Sequence, residues 1–293
     1  MDMCVVVLAL LAVALAALLG TLPLYVRPYV EKPQMDTAIY ATAETPGATL
    51  YNLAVFFTLL VVATAAIYLL LTRRRLLSLF LYFVWFTLAL GVVQFYAWLY
   101  YSYGILPPGP ATWAILLSPA VGVLVVFLLS RRRGDLFLGF LGALAGSMFV
   151  WILPSVTVLA LLVALPVYDY LMVSRGLLGK LIKKAKEEAA SGSGAAPPKG
   201  RDTPLFGFVV RLKAFSLGVG DFVVYSMALS FVAARLAAFG GAVALAAVAL
   251  GVATIYAGLR LTVEVFLKRW GYGPALPLPI LLLSPLIAAA WLV

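Results

Sequence analysis

Long apolar runs separated by short polar breaks occupy this chain from end to end. Nine of them approach the roughly 20 apolar residues that cross a bilayer as a helix. They run approximately Met3–Tyr25, Leu50–Thr72, Leu76–Tyr100, Trp113–Ser130, Leu136–Leu153, Ser155–Val173, Leu217–Ala238, Ala242–Val263 and Pro274–Val293. None alternates apolar and polar positions as membrane strands do. Backbone in lipid must satisfy its own hydrogen bonds, so the pattern predicts helices. The expected fold is an all-α polytopic membrane protein with nine transmembrane helices. The first run is longer than the ~7–15 residues of a signal-peptide core and follows Asp2, not a basic segment, so it reads as a retained helix.

Composition agrees that the solvent is lipid. Of 293 residues, 65% are hydrophobic and 11% charged, which no soluble domain of this size needs. A net charge of +10 points to nucleic acid only until the charges are located. With nine alternating spans, 18 of the 21 basic residues fall on one side. These are Arg73–Arg75, Arg131–Arg133, nine residues from Arg175 to Lys213, and Arg260, Lys268 and Arg269. Arg27, Lys32 and Arg235 fall on the other side. The positive-inside rule then places the N-terminus and the loop between spans six and seven in the cytoplasm, and the C-terminus outside. The basic residues record topology, and no nucleic-acid partner is expected.

The organisation follows from the same pattern. One membrane domain is expected over 1–293, with helices one to five in 1–153, six and seven in 154–240, and eight and nine in 241–293. The loop at about 175–213 begins as a basic helical extension and passes into a Gly/Ala/Ser/Pro linker. The external segment 26–49 is too short for a domain. Gly142 and Gly146 have the spacing of close helix packing, which explains them without a functional role.

Candidate chemistry is narrowed by what is missing. There is no histidine, which removes His-Glu-x-x-His zinc hydrolysis and every Ser-His or Cys-His nucleophile. Cys4 is alone and forms no intrachain disulfide. No cofactor or metal is expected. Glu264, one turn beyond Arg260, reads as an i,i+4 ion pair or a snorkelling residue. Two aspartates are different. Asp169 lies in "LPVYDYLMV" and Asp221 in "SLGVGDFVVYS", both deep in apolar runs. Each mid-helix aspartate costs about 2.5–3.5 kcal/mol on insertion scales, and such groups usually face a cavity or one another.

Counted from Arg175 and Lys213 at 1.5 Å per helical residue, both aspartates lie roughly 9–12 Å inside the cytoplasmic boundary. Consecutive antiparallel spans are expected to be neighbours, which brings the two carboxyls to one level. Such a pair cannot doubly ionise in low dielectric and shares one proton. The ionised member takes a proton from water while the protonated member polarises a carbonyl, which suits peptide-bond hydrolysis. Around the pair, Gly218 and Gly220 flank Val219 and permit close backbone approach. Pro166 can loosen the helix that carries Asp169. Tyr168 suits either a hydrogen bond near the pair or packing in the bilayer. In "GYGPALPLPI", Pro274, Pro277 and Pro279 cannot all continue one helix, so the chain is expected to enter its last span extended. Extended backbone at this depth lines a cavity or is buried in protein, although a proline-marked helix start explains the same residues.

Taken together, Tyr168-Asp169, Gly218-Val219-Gly220-Asp221 and Pro274-Ala275-Leu276-Pro277 resemble the presenilin and signal peptide peptidase family of intramembrane aspartyl proteases. The flanking "VYD", "GDFVVYS" and "PALP" look like the presenilin branch, and the compact outer loops suggest a stand-alone microbial enzyme of archaeal type. The resemblance implies that Asp169 and Asp221 are the catalytic pair and that the Pro274–Pro277 segment shapes the site and holds substrate. It places Tyr168, Gly218, Val219 and Gly220 beside the substrate. Ser216 departs from the lysine that presenilins often carry before the Gly-x-Gly-Asp stretch, and the internal loop is short. The expected partners are single-span transmembrane substrates and the bilayer of the cell membrane. No obligatory accessory subunit is expected, and self-association is left open. The rival readings are a prepilin-type aspartyl peptidase, which leaves the Pro-Ala-Leu-Pro segment unexplained, and a proton- or cation-coupled transporter with the aspartates as relay groups.

Overall fold

The structure, a computed structural model, describes residues 3–27, 39–70, 73–131, 134–174, 209–212, 215–267 and 273–293. Nine α-helices are present among the described residues: α1 (Met3–Val26), α2 (Pro46–Leu70), α3 (Arg74–Ser102), α4 (Pro108–Ser130), α5 (Asp135–Ile152), α6 (Ser155–Ser174), α7 (Val219–Leu236), α8 (Gly241–Thr262) and α9 (Pro277–Trp291). Eight are long and apolar enough to cross a membrane, and α9, with 15 residues, is shorter. The described spans are therefore all helical, and the chain is multi-pass. Most of the basic loop between α6 and α7, including Lys180 to Lys199, lies outside the described residues, as do Lys32, Lys268 and Arg269.

Apolar runs that tolerate burial on every side go to the middle of the bundle. α7 is the most buried span. It is packed on α1, α5, α8 and α9 through small or slender residues, among them Ala228, Ala233, Ser226 and Val232. A second cluster joins α3 and α4 to the opposite face of α5 through Trp85, Leu99, Val125 and Leu141. α5 belongs to both clusters. By contrast, no residue in the most apolar stretch of α2 is buried, and α2 touches its neighbours lightly.

Helices in lipid lack a strong hydrophobic drive toward each other, so close packing and polar contacts carry association. Here a polar seam crosses the centre. The Ser147 hydroxyl of α5 lies 3.1 Å from both the Ala16 carbonyl of α1 and the Ser226 hydroxyl of α7. Trp151 donates its indole N–H to the Gly20 carbonyl at 2.8 Å, and Tyr100 donates to Leu19 at 2.7 Å. The loop before α2 is tied down as well. Asn52 exchanges two hydrogen bonds with the backbone of Ala41, and the Glu44 carboxylate accepts the Ser155 N–H at 2.7 Å, capping α6.

Tyr103, just past α3, is 2% exposed and packs edge-on against Trp151 at 5.7 Å. Its hydroxyl has no hydrogen-bond partner among the described residues, and burial pushes its phenol above the usual range. Tyr103→Phe keeps the ring and removes an unmet polar group. It is expected to raise stability by about 1 kcal/mol, seen as a higher midpoint in fluorescence-monitored thermal unfolding in detergent.

Two element boundaries differ from the sequence expectation. The seventh span does not begin at Leu217. Phe215–Gly218 is a strand, β2, paired antiparallel with β1 (Val209–Leu212), with Val210 opposite Leu217. A short apolar run has no periodicity that separates strand from helix, so the sequence could not mark this junction. The helix of the ninth span begins at Pro277, three residues into the expected span Pro274–Val293. Ala275 and Leu276 bend into it, and Leu276 already has helical dihedrals (φ −82°, ψ −40°), so the entry is a bent strap more than an extended strand.

Candidate active site

The two aspartates lie at facing helix ends. Asp169 is five residues before the end of α6, about 7.5 Å along its axis. Asp221 is the third residue of α7, which corrects the mid-helix placement expected for it. A helix's first turn offers N–H groups with no intrahelical partner. Asp221 uses one just outside it, accepting the Gly218 N–H at 2.9 Å. The membrane cost of this carboxyl is thus partly offset by local backbone, which the sequence did not reveal.

α5 seats this junction. Gly139, Gly142 and Gly146 share one face of α5, and each meets the first two turns of α7. A Cβ on Gly139 would lie 2.8 Å from the Phe222 ring, and one on Gly142 2.6 Å from Val219. At Gly146 it would run into the backbone carbonyl of Val223. The close packing expected of Gly142 and Gly146 is present, and its partner is the turn that bears Asp221.

The expected reason for the other two glycines holds unevenly. Gly218 has an ordinary extended backbone (φ −66°, ψ 144°), but a Cβ there would sit 3.3 Å from the Asp221 carboxylate. At Gly220, exposed, a Cβ would meet nothing within 4 Å among the described residues. Gly220 marks open space next to Asp221, not a close contact. Val219, between them, packs toward α5.

The strap before α9 meets Asp169 of α6 and Tyr225 of α7. Leu276 donates its backbone N–H to Asp169 at 3.1 Å, with the Ala275 N–H directed at the same carboxylate. The Ala275 carbonyl accepts the Tyr225 hydroxyl at 2.7 Å. Pro274 and Leu276 are buried, while Ala275 and Pro277 are half-buried. Asp169, Asp221 and the Tyr225 hydroxyl lie within electrostatic reach of one another. Three segments far apart in sequence thus meet at one place.

Other expected residues fall elsewhere or do less. Tyr168 points its ring at Phe57 of α2, 5.9 Å between centroids, and makes no hydrogen bond among the described residues. Pro166 is buried inside a continuous α6 and does not break it. Glu264 pairs with Arg260 at 3.2 Å as expected. Tyr225 carried no role in the sequence reading. Its signal was a tyrosine one turn after Asp221, in a helix where a buried hydroxyl needs a partner. No group of three or more His, Cys, Asp or Glu residues suited to a metal is found among the described residues. A cavity of about 200 Å3 lies at the other end of α7, bordered by Leu24, Trp151, Phe231 and Arg235. It is about 21 Å along the helix from Asp221 and takes no part in this site.

No family model matches the sequence, and no curated protein is similar to it. Among solved structures, one of a presenilin family intramembrane aspartate protease is similar over 100% of this chain and 98% of that one, at 20% identity and a TM-score of 0.55. The chain has the fold of that presenilin family protease, over its full length.

Proposed function

We propose that the protein is an intramembrane aspartyl endopeptidase that hydrolyses peptide bonds of transmembrane helices with Asp169 and Asp221. The observation that supports this reading is that Asp169, near the end of α6, binds the Ala275–Leu276 strap, while Tyr225 ties the same strap to the first turns of α7, which carry Asp221. In the proposed reaction the ionised carboxyl removes a proton from water, and the oxygen attacks the scissile carbonyl. The protonated carboxyl donates a hydrogen bond to the carbonyl oxygen as it becomes tetrahedral. Collapse of that intermediate breaks the C–N bond, and the leaving amine takes a proton from the pair. No metal or cofactor enters the cycle.

Substrates would be single-span helices, entering laterally on the side of α2 and α6, where packing is lightest. A helix hides its peptide bonds, so the segment cut must unwind and be held as a strand. The strap offers little for that purpose, because its Leu276 N–H and Ala275 carbonyl are already occupied. The β1–β2 ribbon is better placed, since β2 leads into the turn bearing Asp221 and the ribbon has no third strand among the described residues. The open side of Gly220 gives the substrate backbone room to approach. With the N-terminus in the cytoplasm, water reaches the pair from the cytoplasmic face.

The test is to incubate purified protein in detergent with a single-span substrate and sequence the fragments. Cuts within or at the edge of the apolar segment, blocked by an aspartyl-protease transition-state analogue, are expected. Cuts confined to the junction behind a charged leader would favour a prepilin-type peptidase. Ion-dependent uptake in liposomes without any cleavage would favour a transporter.

A further inference from the structure

We propose that Tyr225 is a positioning residue that sets the separation of Asp169 and Asp221 by pinning the Ala275–Leu276 strap between α7 and α6. The inference rests on the reading of the two aspartates as the reacting pair. Its starting point is how weakly α6 is otherwise held. α6 packs far less on α7 than α5 does, and Val163, Val167, Tyr170 and Leu171 are exposed on it. Direct helix packing therefore does little to fix Asp169 relative to Asp221.

A short relay of hydrogen bonds does more. Tyr225 is 0% exposed, four residues after Asp221 and so on the same face of α7. Its hydroxyl lies 2.7 Å from the Ala275 carbonyl oxygen. A carbonyl cannot donate, so the single hydroxyl hydrogen is committed to Ala275 and serves neither carboxylate. The next residue, Leu276, returns its N–H to Asp169 at 3.1 Å. The connection thus runs from α7 through Tyr225, across one peptide unit, to Asp169 on α6. The far end of the strap is fixed as well. The Leu276 carbonyl accepts the Ile280 N–H at 3.1 Å, and a Cβ at Gly258 of α8 would run into the backbone of Pro279. Without the Tyr225 hydroxyl, the Ala275 carbonyl loses its partner. The strap is then free to turn toward another donor, carrying the Leu276 N–H away from Asp169.

The test compares wild type, Tyr225→Phe and Gly258→Ala, each purified in detergent. Hydrogen–deuterium exchange of the Leu276 amide reads the strap directly and does not depend on any activity. Cleavage of a single-span substrate reads its consequence. Tyr225→Phe keeps the ring, and its Leu276 amide is expected to exchange about tenfold faster than in wild type. kcat is expected to fall about tenfold with KM nearly unchanged, the split produced when reacting groups are misplaced but binding is kept. Gly258→Ala displaces the strap from its other end and is expected to produce the same pair of changes. A Leu276 amide as protected in both variants as in wild type overturns the proposal. So does faster exchange with wild-type kcat. Faster exchange in a protein whose wild type cuts no single-span substrate upholds the strap and removes the protease reading instead.

Discussion

Asp169→Ala and Asp221→Ala are each expected to abolish cleavage of a single-span substrate while the purified protein melts as wild type does. In the proposed mechanism the loss is large because the two carboxyls do one job between them. One must accept a proton from water while the other donates to the carbonyl, and neither role survives alone. Residues that act as a unit lose nearly everything with the first deletion, so a fall of at least about a thousandfold is expected in each single mutant. Folding is spared because neither side chain fills a core position. Asp221 bonds the backbone of Gly218 in its own junction, and Asp169 bonds the strap.

The asparagine variants sharpen this. Asp169→Asn keeps an oxygen that can accept the Leu276 N–H but cannot exchange a proton. It is expected to be as inactive as Asp169→Ala, yet to keep the Leu276 amide protected from exchange. Loss of activity with the strap intact would separate the chemistry of Asp169 from its structural bond. Substantial cleavage remaining in both alanine variants would remove the two aspartates from the mechanism.

How much of this could be read from the chain depends on which interactions leave a trace in side-chain type. Runs of apolar residues near 20 long leave a strong one, because lipid permits little besides a helix. All nine helices follow from them, to within a few residues at most ends. The aspartates were equally legible, since a carboxyl among Leu, Val and Phe is costly enough to demand a reason. What escaped was written in backbone. The Phe215–Gly218 strand differs from a helical start only in its hydrogen bonds, and "FSLGVGDFVV" is apolar on both sides of the boundary. Asp221 therefore looked buried in mid-helix, while it sits where a strand hands over to a first helical turn. The Tyr225 and Leu276 bonds escaped for the same reason, as one partner in each is a main-chain group about 50 or 107 residues away. The α5 glycines were half legible. Their spacing announced close packing, but only the fold shows that the partner is the turn bearing Asp221.

That last contact supports the second large effect, a contrast between two glycines that sequence alone cannot rank. Gly146→Ala is expected to lower the unfolding midpoint and most of the activity together. The new Cβ would run into the Val223 carbonyl, which is backbone and cannot rotate aside. α7 is packed on α1, α8 and α9 as well as α5, so it has little room in which to retreat. Overpacking of this kind costs about 1–3 kcal/mol and occasionally more. Any shift of α7 also strains the 3.1 Å contact between Ser147 and Ser226. Val223 is two residues from Asp221 on the same rigid element, so displacement of α7 displaces that carboxyl. A misplacement of about 1 Å can cost a hundredfold in rate. Gly220→Ala should behave in the opposite way for stability. Its Cβ meets nothing within 4 Å among the described residues, and alanine favours a helical backbone over glycine by about 1 kcal/mol, so the midpoint should hold or rise. Thermal unfolding of both variants beside wild type decides the matter: a Gly146→Ala protein that melts with wild type would mean that α5 and α7 do not meet as closely as Val223 and Gly146 require.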